Sequence, residues 1–156
     1  MTERRPMNEH GNYDLQRHGQ IMLISIEGAW NVPAFEHYEC DLRSLAEEMF
    51  SAGPWGLIMD ARRWELSTPD VLPMVSRLSA WLDQRRLKGS ALITKGDFLS
   101  ESVARETIFG RDRQAPVRLV QSAQDATEFL ASCGLKIPES LIQSIRAFEA
   151  AAERDA

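Results

Sequence analysis

Three groups of side chains in this sequence have the types and spacing for chemistry. The first is Asp60, followed closely by Arg62, Arg63 and Trp64. A carboxylate at the end of a strand stands where open α/β sheets carry reacting or ligand-holding groups. The two guanidiniums present planar donor forks for a carboxylate or phosphate, and Trp64 adds a stacking face of the kind enriched at interface hot spots. Arg111 and Arg113, just after Gly110, face the same edge if both loops rise from like ends of parallel strands. Asp60, Arg62, Arg63, Trp64, Arg111 and Arg113 thus make a candidate interaction or anion site. The plainer reading is a turn-forming Asp60 among ordinary surface charges, with Trp64 folded onto the domain.

The second group is Ser67 and Thr68, ahead of Pro69 and Asp70. Thr68 is the expected helix N-cap, with Pro69 in the first helical position and Asp70 complementing the positive helix end. Such a cap is worth about 1 kcal/mol. The same hydroxyls are candidate phosphosites. The third group, His37 and Cys40, is spaced to share one helix face beside Glu36 and Glu39. A closed metal site normally takes four ligands, and no second His/Cys cluster has suitable spacing. Cys40 is therefore expected to be buried, His37 exposed or half-buried, and no metal is expected. His10 and His18 have no evident partner.

No Gly-x-Ser-x-Gly elbow, glycine-rich phosphate loop or His-Glu-x-x-His is present. No catalytic residue is assigned and no cofactor is implied. An enzyme using Asp60 with the loop arginines is the weakest of the functional readings.

These residues must be positioned by a regular scaffold. Residues 13–18 alternate weakly, Gly19 and Gln20 interrupt them, and the apolar run Ile21-Met22-Leu23-Ile24-Ser25-Ile26 follows, predicting a hairpin into a central strand. Asn31-Val32-Pro33 opens a helix striped by Phe35, Tyr38, Leu42, Leu45 and Met49, which Gly53-Pro54 ends. Trp55-Gly56-Leu57-Ile58-Met59 is a buried strand ending at Asp60. Val71, Val75, Leu78 and Leu82 line the helix after Thr68, and a strand at 90–94 follows. A shorter helix is predicted over 98–109, a last strand at 117–120, and a helix from Ser122 to Cys133 closed by Gly134. Strands separated by helices imply crossovers and a mostly parallel sheet, made mixed by the hairpin.

The 156 residues fit one domain, and 44% hydrophobic with 26% charged residues is a globular composition. Two cysteines without CxxC spacing argue against a disulfide scaffold and for a reducing, cytoplasmic setting. No apolar run approaches the ~20 residues of a membrane span. With 18 Lys+Arg against 23 Asp+Glu, the net charge of −5 lacks the footprint of a general nucleic-acid binder. Residues 1–11 read as a polar leader without a signal peptide's apolar run.

The order of elements resembles the STAS-like, SpoIIAA-like family. The matching pieces are residues 21–28, the helix entered at Asn31-Val32-Pro33, Gly56-Leu57-Ile58-Met59-Asp60, and residues 89–94, 98–109, 117–120 and 122–134. The resemblance spans residues 12–135 and implies an α/β fold. Its expected form is a four- or five-stranded mixed sheet with an N-terminal hairpin and helices mainly on one face. The best-known members are anti-anti-sigma factors switched by phosphorylation of a serine between a strand and a helix. Their Asp-Ser-Ser-Gly-type segment is absent here. The nearest equivalents are Asp60 and Ser67 or Thr68, separated by the insertion-like residues 61–66.

Residues 136–156 add a helix to that pattern, with Ile137, Leu141, Ile145 and Phe148 on one face. A helix this short is marginal alone in water, so the stripe must dock on its own domain or on a second copy in a homodimer. The resemblance implies a non-catalytic regulatory or protein-interaction module with an unidentified protein partner. The alternative is a carrier or sensor of an apolar or anionic, lipid-like small molecule. Its groove would lie beside the 98–109 helix, near Phe98, Leu99 and Phe109, with Trp55, Met74 and Trp81 close by.

Overall fold

The computed structural model describes residues 11–65, 67–96 and 114–154. The expected helix over 98–109, together with Gly110, Arg111, Arg113 and the leader up to His10, lies outside the described residues.

Strand β1 (Asn12–His18) turns at Gly19, whose φ of +61° suits a residue without Cβ, into β2 (Ile21–Gly28). The two pair antiparallel, His18 opposite Ile21. Helix α1 (Val32–Ala52) follows. Asn31 caps it, its side chain accepting the Ala34 N–H at 3.2 Å. Then come β3 (Trp55–Trp64), a short 3-10 turn (Pro69–Val71), α2 (Leu72–Asp83) and β4 (Leu87–Ile93). Strand β5 (Val117–Val120), α3 (Ala123–Ser132) and α4 (Glu139–Arg154) complete the described chain. The five strands lie in sequential order, β1 antiparallel and the other neighbours parallel.

That order dictates where the helices go. Right-handed crossovers between successive parallel strands deliver their helices to one face. Accordingly, α1 and α2 pack with Met22, Ile24 and Leu57. The helices after the last strand are free of this constraint and cover the other face, where α3 and α4 pack on Ile21, Leu23 and Ile58. The described helices are therefore shared two and two between the faces, rather than mainly on one. Coverage of both faces is why β2 is continuously apolar, as a doubly buried strand must be. Gly56 allows the second layer to sit close, because a Cβ there would stand 2.3 Å from the Leu135 side chain in the α3–α4 connection.

Three local expectations change. Strand β3 does not stop at Asp60: after an irregularity between Ser25 and Glu27, pairing of Glu27 with Arg63 and Gly28 with Trp64 carries it four residues further. Thr68 precedes a 3-10 turn rather than an α-helix, and its side chain makes no cap hydrogen bond. Cys40 is exposed, because the α1 face that meets the sheet is set by Phe35, Tyr38, Leu42 and Met49.

Candidate functional site

The extension of β3 separates residues that the sequence grouped. Asp60 is 1% exposed and is closed on by Arg62, whose Nε donates to Oδ1 at 3.0 Å and whose Nη2 donates to Oδ2 at 2.5 Å. Residues two apart on a strand share a face, and this one is the α4 side. There Arg62 Nη1 also donates to Glu149 Oε1 at 3.0 Å. Burial lowers the Arg62 pKa, but the hydrogen bonds and charges of Asp60 and then Glu149 outweigh it and raise the pKa overall. This guanidinium is a fixed cation tied to two carboxylates.

Arg63 pairs with Glu27 at 3.2 Å and lies over the Phe148 ring, 5.7 Å from its centroid. Of the candidate anion site, Arg62 and Arg63 thus meet the chain's own acids. Leu141 and Ile145 of the C-terminal stripe are fully buried against the sheet. Ile137 is half-buried just before α4, and Phe148 is half-buried under Arg63. Ile137, Leu141 and Ile145 thus pack with the chain's own sheet.

Trp64 and Ser67 belong to the other face. The Trp64 indole N–H donates to Ser67 Oγ at 3.1 Å, and the Thr68 backbone N–H donates to Trp30 O at 3.0 Å. Trp64 and Ser67, with Val71 and Leu72, line a cavity of about 130 Å³ between the sheet and α2. Met59, Ala61 and Leu92 form part of its sheet side, and Val75, Leu78 and Leu82 part of its α2 side. The polar side chains among the described lining are the hydroxyls of Ser67, Ser79, Ser90, Thr94 and Tyr38 and the indoles of Trp30 and Trp64. The two indole N–H groups are taken by Glu27 O and Ser67 Oγ. Burial, and secondarily Tyr13, push the Tyr38 hydroxyl pKa well up, so it stays a neutral phenol.

Phe98, Leu99 and Phe109, which the sequence offers as groove lining, lie outside the described residues. Trp55 is fully buried, its indole N–H donating to Arg85 O at 2.7 Å, and Met74 and Trp81 do not line the cavity. What sequence reasoning missed are Trp30, Met59, Ser90 and Thr94 as lining. A weak signal existed in the small residues Ala61, Ser79 and Ser90, which cannot fill the space between helix and sheet. His37 and Cys40 are both exposed, and no cluster of three metal-ligating side chains occurs among the described residues. His18 does find partners: Ser140 Oγ at 2.8 Å from Nδ1 and Gln16 Oε1 at 2.8 Å from Nε2. Among the described residues no helix is long and apolar enough to cross a membrane.

No protein-family model matches the chain, and no curated protein matches it. Solved structures do. One is an uncharacterized protein of the DUF3478 family with a SpoIIAA-like fold from Shewanella loihica PV-4. It is 14% identical over 81% of this chain and 98% of its own, with a TM-score of 0.54. Another is an anti-sigma factor antagonist from Mycobacterium paratuberculosis, 15% identical over 78% of this chain and 94% of its own, with a TM-score of 0.52. The chain has the STAS-like, SpoIIAA-like α/β fold.

Proposed function

We propose that the chain is a non-catalytic regulatory module that acts by binding a protein partner. The observation that carries this reading is the closure of Asp60 and Arg62 on each other and on Glu149. An open α/β sheet keeps its reacting groups at the carboxyl ends of its strands. Here the charged groups in the carboxyl-terminal half of β3 are tied to each other and to the last helix. The likeness in fold to a structure described as an anti-sigma factor antagonist supports a protein target of the same general kind.

The segment after β3 is the regulatory element in this reading. Thr68 is exposed, and its side chain is uncommitted as a cap, while Ser67 is half-buried under the Trp64 indole. A phosphate there adds roughly −1.5 to −2 charges, yet attraction to a helix start contributes only ~0.3–1 kcal/mol. That is too small to rearrange a domain stable by ~5–15 kcal/mol. Modification of Thr68, or of Ser67, therefore acts by repulsion and desolvation at the partner surface. Capture on the full-length chain followed by native mass spectrometry tests this. A stoichiometric protein partner retained by Thr68→Ala and lost by Thr68→Glu is expected. Failure to recover any partner would sink the reading, and equal recovery by both variants would remove the segment from it.

A further inference from the structure

We infer that the cavity between α2 and the sheet is a binding site for one small, neutral, mainly apolar molecule about the size of a single ring. Its volume of about 130 Å³ is close to the ~150 Å³ apolar void that takes up benzene, and well below the roughly 300–1,000 Å³ of pockets for drug-sized ligands. A ring fits this space, and a lipid chain does not.

The lining fixes the charge of the occupant. Met59, Leu92, Val75, Leu78 and Trp64 supply apolar walls, and no charged side chain lines the cavity among the described residues. Against the described lining, an ion would lose its hydration without gaining a counter-charge. The polar contribution comes from hydroxyls with protons to give. Thr94 is 3% exposed, and its oxygen already accepts the Gly96 N–H at 3.2 Å, which leaves its own proton for an acceptor. Tyr38 is 4% exposed, and its hydroxyl makes no hydrogen bond among the described residues. A ring bearing one oxygen satisfies both the walls and such a donor. It also restores the dispersion contacts that wall atoms facing a void lack. Binding to the folded chain alone then raises its stability by mass action.

The test uses the full chain and NMR titration with phenol, benzoate and palmitate at neutral pH, alongside thermal unfolding. Phenol is expected to shift signals from the cavity-lining residues saturably, with a Kd near the millimolar range for so few atoms, and to raise the unfolding temperature. Benzoate, which keeps the ring but carries a charge, is expected to bind at least about tenfold more weakly, a difference of roughly 1.4 kcal/mol. Val75→Phe and Ser90→Leu fill the space from the helix and from the sheet, and each is expected to weaken phenol by about tenfold or more. If Val75→Phe does not fold, Ser90→Leu and the phenol–benzoate comparison on the unaltered chain decide. No saturable phenol shift would overturn the inference. So would undiminished phenol binding by the folded filled variants, or benzoate or palmitate binding as tightly as phenol. These readouts need no protein partner, so they stand or fall apart from the regulatory reading.

Discussion

Arg62 holds Glu149 of α4 at 3.0 Å with one guanidinium nitrogen while the rest of its fork is closed on Asp60. A residue that the sequence offers to an outside anion is thereby a polar link between β3 and the last helix. The two carboxylates differ sharply in exposure, 1% for Asp60 and 30% for the Glu149 side chain. Removing the guanidinium leaves Asp60 buried with only the backbone N–H of residue 62, at 3.2 Å. Arg62→Met is therefore expected to cost about 3–5 kcal/mol, the penalty of stranding one partner of a buried pair. Glu149→Gln breaks only the more exposed pair and should cost about 0–1 kcal/mol. Urea unfolding of both variants checks this. Equal, small losses would mean that Asp60 draws little from its pairing.

The helix starts make a second contrast. Asn31 and Ser122 accept the N–H groups of Ala34 and Asp125 at 3.2 and 3.1 Å, so alanine at either position should cost about 1 kcal/mol. Thr68 makes no such bond, and Thr68→Ala should stay within about 0.5 kcal/mol of the parent chain. Thermal unfolding ranks the three. A loss at Thr68 equal to the other two would mean that its hydroxyl caps after all.

The same contrast shows what was legible in the sequence. Asn31 before Val32-Pro33 and Ser122 three residues before Asp125 are local signals, and local signals survive folding. The apolar runs at 21–26 and 55–59 identified the central strands for the same reason, since a doubly covered strand advertises itself by composition. Asp60 to Trp64 was misjudged because pairing with Glu27 and Gly28 extends β3 through residues that read as a loop. Arg62 and Glu149 lie 87 positions apart, and nothing local ties them together. The cavity was illegible in a further sense. It is space left by Ala61, Ser79 and Ser90 on facing elements, and only the packing of α2 over the sheet brings those small residues opposite one another.

Burial of the C-terminal stripe within one chain yields a third prediction. Leu141 and Ile145 are fully buried in the layer formed with α3 and the sheet. Leu141→Ala or Ile145→Ala should lower stability by about 2–5 kcal/mol, as expected for truncation in a packed interior. Phe148→Ala, at a half-buried position under Arg63, should cost less. Because the stripe is spent on its own sheet, the sedimentation coefficient of the folded variants should match that of the parent chain. A change in oligomer size on Leu141→Ala would place this helix in an interface between copies.

His18 supplies a pH dependence whose sign follows from its surroundings. Burial lowers its pKa below the ordinary 6.5. Its two ring nitrogens are engaged by Ser140 and Gln16, and Ser140 stands in the first turn of α4. The positive end of that helix also opposes an imidazolium. Between the folded and unfolded pKa values the unfolded chain holds more protons, so stability rises with pH there. The contribution of neutral His18 is fully present above about pH 6.5, declines as the pH falls below that value, and levels off beneath the folded pKa. Urea unfolding between about pH 7.5 and 5.5, above the main carboxylate range, should show this decline. His18→Gln, which keeps hydrogen-bonding capacity without titrating, should flatten the profile. A parent profile already flat across that window, or one that His18→Gln leaves unchanged, would mean that the ring does not couple the hairpin to α4 through its protonation.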